Sequence, residues 1–401
     1  MANPVSGKNI VLGVTGSIAC YKAADLASKL VQEGAFLDVI LTKGATNFVT
    51  PLTFTSLTDR SVYTDMFDTQ SEQAISHVAL AQTADLVVVA PATAHSIAKI
   101  ANGMADDFLT TTVLASKAPV VIAPAMDGYM FENLATQDNL EKLRSRGIFV
   151  LGPGEGRLAS GLTGMGRLIE VHYIVDAIAS ILGIGGDLQG RSLVVSAGGT
   201  QEPIDPVRVI TNRSSGKMGF AIARAARDRG AEVTLVSAPT SLQPIFGVDI
   251  RQVSTVNEMR AEVLDSCSSA DVLIMAAAVS DYRPKKVFSE KIKKESNDNG
   301  ISIEFSKNND FLMEVPIGVL KVGFAAESEH LIDNAKKKLI EKDLALIAAN
   351  DITSQDSGFN VDNNRVTILD QSGNVEEVPL MNKYDVAHRI LDRVVKLLEK
   401  K

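Results

Sequence analysis

The chain has 401 residues, 45% of them hydrophobic, with 40 Lys and Arg against 48 Asp and Glu and a net charge of −8. That length holds two or three buried cores, and the acidic balance argues against nucleic acid as the main partner. Apolar stretches such as Leu86–Ala92 are too short to cross a bilayer, two distant cysteines exclude a disulfide framework or a cysteine-rich zinc site, and the lack of an apolar signal core before Gly7 predicts a cytoplasmic address.

The first strand is predicted at Ile10–Val14, stopping at Gly13 and Gly16 and feeding a helix over Ala19–Gln32. A buried parallel strand that ends in glycines ahead of a helix is a candidate phosphate site. Glycine lets the backbone approach, and the helix N-terminus offers free N–H groups. Ser17 and Thr42 would add hydroxyls for a single phosphate. A dinucleotide site wants G-x-G-x-x-G and an acid at the end of the second strand. Here the strand Leu37–Leu41 runs into Thr42 and Lys43, and Asp38 lies at its wrong end. The pattern favours a mononucleotide such as FMN over NAD. An ordinary strand-to-helix turn accounts for the same residues equally well.

Further strands are predicted at Leu86–Ala90, Val120–Ala123 and Phe149–Leu151, with helices such as Leu134–Arg146 between them and Tyr173–Leu182 closing the half. Continuous apolar strands alternating with helices mean a parallel sheet covered on both faces. Thr93, in Pro91–Ala94, would line the crevice at the strand ends. Asn102–Asp107 is a turn before a helix at Phe108–Ala115, and Asp106 or Asp107 reads as its N-cap. His77 precedes the helical pattern Val78–Thr83. It is a candidate general base, although a surface histidine is the plainer reading.

Gly183–Gly190 marks the junction, and the domains are expected at residues 1–189 and 190–401. The second half opens like the first. The run Leu193–Val195 breaks at Gly198 and Gly199, ahead of a long loop and a helix. Strands follow at Val233–Val236, Val272–Ala276, Val322–Phe324 and Leu344–Ala348. The charged stretch Val279–Asn309, with SNDNG at Ser296–Gly300, predicts a mobile loop. Lys336–Lys338 reads by itself as a solvated helix face, and Ser215–Lys217 is no Walker A loop because its first glycine is missing. The expected fold class is α/β: two doubly wound Rossmann-like domains, the N-terminal one flavodoxin-like and the C-terminal one nucleotide-binding.

Longer motifs carry a family resemblance over nearly the whole chain. GVTGSIACYK at Gly13–Lys22, ISHVALAQTADLVVVAPATA at Ile75–Ala94, ANGMADD at Ala101–Asp107, PAMDGYMFENLATQ at Pro124–Gln137 and EGRLASGLTGMGRL at Glu155–Leu168 resemble the flavin-containing phosphopantothenoylcysteine decarboxylases. SAGGTQEPIDPVRVITNRSSGKMG at Ser196–Gly219, AAAVSDYRP at Ala276–Pro284, EKIKK at Glu290–Lys294, GFAAE at Gly323–Glu327 and AAND at Ala348–Asp351 resemble the phosphopantothenate–cysteine ligases. The two follow each other in the bacterial fusion order.

For the second half the resemblance implies a CTP-dependent ligase. It would activate 4′-phosphopantothenate as an acyl-cytidylate with release of pyrophosphate, and cysteine's amine would then attack. Such chemistry needs cations against phosphate charge and Mg²⁺ near the CTP phosphates. The matching positions are Ala276, Ala277, Ala278, Asp281, Lys291, Asn308, Asp310, Phe311, Phe324, Lys338 and Lys342 for the nucleotide, and Asn212 for conversion of the acyl-cytidylate. No metal ligands are assigned. Asn308–Phe311 reads Asn-Asn-Asp-Phe where the family has Asn-Pro-Asp-Ile. Gly358–Val366 matches a turn and a dimer-proximal strand.

For the first half the resemblance implies an FMN-dependent oxidative decarboxylation that yields 4′-phosphopantetheine. Gly16, Ser17, Thr42, Thr93 and Ala105 would hold the flavin, His77 would be the base, and Glu155–Leu168 would be a clamp over the substrate. The chain departs from the family at three places: Asp127 replaces an asparagine, Ser160 a cysteine and Phe131 a tryptophan. A hydroxyl is a poorer acid than a thiol, so the alternative is a ligase whose flavin-binding half does not decarboxylate. The implied assembly is a homo-oligomer of flavin-domain trimers linked through ligase-domain dimers. A nicotinamide oxidoreductase is disfavoured by the missing acid, and a purely non-catalytic flavin binder by the ligase motifs.

Overall fold

The computed structural model describes residues 3–66, 77–293, 301–327, 331–351 and 361–399. The backbone divides into two compact units, Asn3–Leu182 and Gly183–Lys401.

In the first unit, β1 (Asn9–Val14), β2 (Phe36–Leu41), β3 (Val62–Tyr63), β4 (Leu86–Ala92), β5 (Val120–Pro124) and β6 (Phe149–Val150) form one parallel sheet in the order β3-β2-β1-β4-β5-β6. This is the doubly wound order; without the short edge strand β3, the remaining five run as in flavodoxin. β4 is buried along its whole length and β1 from Ile10 onward, with Ile10, Leu12 and Val87–Val89 at 0% exposure. Apolar side chains on both faces are what a sheet sandwiched between helix layers requires. The helix Cys20–Gln32 buries Leu26 and Leu30 on one stripe, and Val171–Leu182 buries Ile174, Ile178 and Ile181. Asp38 is buried within β2 and holds Arg60 through two bonds, Nε to Oδ1 at 2.9 Å and Nη2 to Oδ2 at 3.0 Å. Its carboxylate is thus committed to the sheet edge and not to a ligand.

One feature of this unit has no apolar signature in the sequence. β7 (Gly154–Arg157) and β8 (Thr163–Arg167) pair antiparallel as a separate hairpin. Gly166 lies against the Met126 carbonyl, where a Cβ would collide, and Met126 N–H donates to the Gly166 carbonyl at 2.9 Å.

The second unit is an eight-stranded sheet. It contains β9 (Ser192–Ala197), then a small hairpin of β10 (Gln201–Pro203) and β11 (Val209–Thr211) outside it, then β12 (Glu232–Ser237), β13 (Asp249–Gln252) and β14 (Val272–Met275). A second outlying pair, β15 (Tyr282–Pro284) with β16 (Phe305–Lys307), comes next. β17 (Leu320–Glu327), β18 (Leu346–Asp351), β19 (Asn363–Asp370) and β20 (Val375–Asn382) complete the sheet in the order β13-β12-β9-β14-β17-β18-β19-β20. It is parallel from β13 to β18 and antiparallel from β18 to β20. The terminal helix Lys383–Leu398 packs Val386, Ile390 and Val394 into the core with Val366, Ile368 and Val378. Arg229 is buried beside it between Asp187 and Asp392, at 2.6 and 2.8 Å. The expected mobile segment Ser296–Gly300 and the turn residues 358–360 lie outside the described residues.

Candidate functional site

Each sheet has one point where the strand order reverses, and ligand crevices form there, outside the carboxyl ends of the strands. In the first unit it lies between β1 and β4; in the second, between β9 and β14.

At the first point Thr15 ties the two strand ends together. Its hydroxyl donates to the Pro91 carbonyl at 2.7 Å and accepts the Thr93 N–H at 2.9 Å. Gly16 and Gly44 then meet back to back: a Cβ on Gly16 would stand 2.8 Å from the Gly44 carbonyl carbon. Gly13, read from sequence as part of the same turn, instead lies inside β1, and its bare Cα makes room for Leu109. Ser17 precedes the helix Cys20–Gln32, which has no side-chain cap of its own. Thr42 is anchored to the Val14 carbonyl, and Thr93 caps the helix Ala94–Asn102 by accepting from Ser96 N–H at 3.3 Å.

These residues line a cleft of about 1060 Å³. Lys22, Lys43, His95, Lys99 and Arg157 line it too. No local charge pattern in the sequence picks out these basic residues; the fold alone brings them to one cleft. Lys99 is nearly buried between Asp106 at 2.6 Å and Asp107 at 2.7 Å. Burial opposes ionisation of Asp107, but bonds from Lys99 and Thr110 outweigh it and hold the carboxyl below its usual range. Asp107 also forms a capping box with Thr110 at the helix Phe108–Ala115. Ala105 is exposed next to this pair, and its carbonyl accepts from Thr111.

Asp127 and Ser160 also line this cleft. Asp127 caps the helix Gly128–Glu132, accepting from Tyr129 N–H at 3.2 Å, and Ser160 Oγ lies 2.6 Å from Asp127 Oδ2. Phe131 packs at the edge of the apolar core. His77 does not line this cleft. It starts the helix His77–Thr83, half-buried, with its ring edge-on to Phe108 at 6.2 Å.

At the second point Gly199 pairs with Ala278 across the crevice. Ala277 N–H reaches Ser196 Oγ at 3.1 Å, and Ala278 N–H reaches the Gly198 carbonyl at 2.8 Å, so Ala276–Ala278 wrap the end of β9. Asn212 Nδ2 donates to the Val279 carbonyl at 3.0 Å, and its own carbonyl is so close to Gly199 that a Cβ there would stand 2.5 Å away. Asn308 N–H donates to the Asp281 carbonyl at 2.8 Å and its Nδ2 to the Ser280 carbonyl at 2.9 Å. Asn308 Oδ1 is buried with no partner among the described residues. Asn212, Ala276–Ala278, Asp281 and Asn308 are therefore brought together.

Other expected residues are placed differently. Phe311 is 2% exposed and belongs to the core, and Phe324 packs at a core edge within β17. Lys342 is paired with Asp310 at 2.8 Å; burial works against that carboxylate, but Lys342 and the Leu312 N–H bring its pKa below the usual range. Lys338 sits one turn earlier on the helix Leu331–Glu341. Lys291 is exposed, without an ion pair among the described residues. No group of three or more His, Cys, Asp or Glu among the described residues is placed to hold a metal, and no helix among them is long and apolar enough to cross a membrane.

The fold and the first cleft define a flavoprotein unit followed by a second nucleotide-type unit. Residues 2–183 match the family model described as Flavoprotein, and residues 188–398 match the DNA/pantothenate metabolism flavoprotein C-terminal domain. The coenzyme A biosynthesis bifunctional protein CoaBC of Bacillus subtilis is 45% identical over 401 residues, covering 98% of both chains. Its Escherichia coli counterpart is 42% identical over 404 residues, covering 99% of both. A crystal structure of the C-terminal domain of a coenzyme A biosynthesis bifunctional protein CoaBC is 40% identical, covering 54% of this chain and all of that one, with a TM-score of 0.47. The chain belongs to the coenzyme A biosynthesis bifunctional protein family.

Proposed function

We propose that this chain joins cysteine to 4′-phosphopantothenate with CTP and then decarboxylates the product to 4′-phosphopantetheine. The observation that carries this reading is the presence of two strand-order switch points on one chain of that family, each surrounded by a different set of residues.

In the ligase half, the substrate carboxylate attacks the α-phosphorus of CTP and pyrophosphate leaves; cysteine's amine then displaces CMP from the acyl-cytidylate. Lys291, Lys338 and Lys342 face the charge that develops on phosphate. Mg²⁺ would accompany the nucleotide phosphates and offset their charge. Asp281 and the Ala276–Ala278 backbone hold the nucleoside. Asn308 Oδ1, a buried acceptor lacking a donor, suits the exocyclic amine of cytosine. Asn212, bonded to the Val279 carbonyl beside these residues, would serve the acyl-transfer step.

In the decarboxylase half, the residues present suit FMN. The absence of a side chain at Gly16 and Gly44 lets the two loops close on each other at the cleft, and Ser17, Thr42 and the start of the helix Cys20–Gln32 would meet the phosphate. Thr93 and the loop at Ala105 flank the ring end. Bound flavin supplies reversible hydride transfer at the substrate's cysteine carbon. His77 takes the thiol proton. Because it does not line the cleft of its own chain, we assign it to the cleft of a neighbouring copy, in a homo-oligomer of flavin-unit trimers and ligase-unit dimers. The β7–β8 hairpin is the clamp that excludes water. Beside Asp127 a substrate carboxylate would be repelled, so a water or backbone N–H bridges the two. We place the enzyme in the cytoplasm.

A flavin-binding but non-decarboxylating first half is the second reading. It is favoured by the Asp127–Ser160 contact, in which neither group can donate a thiol proton. The visible spectrum of the purified chain and release of pyrophosphate from CTP test the two halves separately. A colourless protein, even after reconstitution with FMN, contradicts the first assignment. CTP left intact in the presence of 4′-phosphopantothenate contradicts the second.

A further inference from the structure

The loop that carries Lys291 is held at two backbone points. Phe288 N–H donates to the Ile204 carbonyl at 2.9 Å. Ile292, next to Lys291, has both its polar backbone groups engaged: its N–H donates to Asp205 Oδ2 at 3.2 Å, and its carbonyl accepts from Arg208 Nη1 at 3.3 Å. Asp205 is the centre of this clasp. Its side chain has 0% exposure. Oδ1 accepts the N–H groups of Val207 at 2.8 Å and Arg208 at 2.7 Å, and Oδ2 also accepts Arg208 Nη1 at 2.6 Å. Burial works against ionisation, yet these donors together bring the carboxyl down to about 2. Lys291 itself stays exposed and unpaired among the described residues. Composition alone made this loop mobile; the hydrogen bonds hold its backbone at Phe288 and Ile292 and leave the Lys291 ammonium exposed.

We propose that Asp205 is a positioning residue for the ligase reaction: through Ile292 it sets where Lys291 presents its charge to the nucleotide phosphates. This rests on the ligase reading above. A lysine has a long flexible stem, so its usefulness depends on where its Cα is held, and a misplacement of about 1 Å can cost on the order of 100-fold in rate. Asparagine cannot replace the carboxylate. Every contact of Asp205 is a donor, so either orientation of an amide would turn its NH₂ toward N–H groups.

The test is Asp205→Asn in the full chain. The expected result is a fall of about 100-fold in the rate of pyrophosphate release, with flavin content unchanged. The double variant Asp205→Asn, Lys291→Gln should be no more than about twofold slower than Lys291→Gln alone, because both remove one effect. Multiplying defects would overturn the proposal, since they would mean that Asp205 only supports the fold. Should Asp205→Asn melt the unit, amide hydrogen exchange of the unmodified chain decides. Ile292 and Phe288 amides protected like the strands support the clasp, and exchange at free-loop rates overturns it. An unmodified chain that releases no pyrophosphate refutes the ligase reading instead.

Discussion

Ser160 Oγ lies 2.6 Å from Asp127 Oδ2, so the tip of the β7–β8 hairpin is tied to the helix cap on the far wall of the cleft. The two positions that depart from the family's asparagine and cysteine are therefore partners in this chain. The serine donates to a carboxylate that also accepts the Tyr129 N–H. A hydrogen bond of this kind at a solvent-exposed site contributes about 1 kcal/mol.

Loss of that bond should loosen the hairpin. Ser160→Ala is expected to raise tryptic cleavage after Arg157 and Arg167 by about fivefold, the equivalent of 1 kcal/mol. An unchanged cleavage rate would mean that the hairpin is held by its backbone contacts at Gly166 and Met126 alone.

The same residue is expected to bear on the second half-reaction. The unmodified chain should release fully reduced 4′-phosphopantetheine, with the returning proton supplied by a water that Ser160 orders. Mass analysis reads this directly. Accumulation of the enethiol, lighter by H₂, would show that the serine stalls the reaction, and Ser160→Cys should then restore turnover.

His77→Asn should abolish decarboxylation while leaving flavin content and CTP turnover intact, because it removes a proton-transfer group and none of the residues that hold the cofactor or the nucleotide. Gly16→Ala should do the reverse to the cofactor. Its Cβ would press on the Gly44 backbone at 2.8 Å, so the purified protein should lose flavin absorbance but keep the ligase activity. If Gly16→Ala retains full flavin, the phosphate turn is misplaced in this account.

Much of this arrangement was legible in the sequence, and the gaps have physical causes. The parallel strands were visible because strands buried on both faces are continuous apolar runs, as in Leu86–Ala92. The β7–β8 hairpin was not, because glycines and arginines give no period-two pattern; its shape comes from contacts with Met126 and Gly128. Gly13 and Gly16 look alike in sequence, yet one makes room for Leu109 and the other faces Gly44. Asp127 and Ser160 stood out singly, but 33 positions separate them and only the fold shows that they touch. Similarly, nothing local distinguishes Lys342, paired with Asp310, from the unpaired Lys291.

Acid should weaken the second unit through His388. Both ring nitrogens are buried without partners among the described residues, and the ring stands edge-on to Tyr384 at 4.6 Å. Burial, reinforced by Arg229 and opposed by Asp392 and Asp385, pushes its pKa down to about 4. The unfolded chain then takes up a proton, near pH 6.5, that the folded chain refuses. Stability attributable to His388 is thus intact above about pH 6.5 and declines as pH falls toward 4, by about 3 kcal/mol in full. Denaturant melts of the unmodified chain and His388→Phe at both pH extremes should show a flatter acid limb in the variant. Parallel pH profiles would contradict this.

The central claim is that one chain carries 4′-phosphopantothenate through both reactions. The most direct measurement gives the purified, flavin-loaded protein 4′-phosphopantothenate, cysteine, CTP and Mg²⁺ and follows products by mass. The account predicts CMP, pyrophosphate and carbon dioxide formed together with 4′-phosphopantetheine, and no product when CTP is omitted. Accumulation of 4′-phosphopantothenoylcysteine with no loss of carbon dioxide would contradict it.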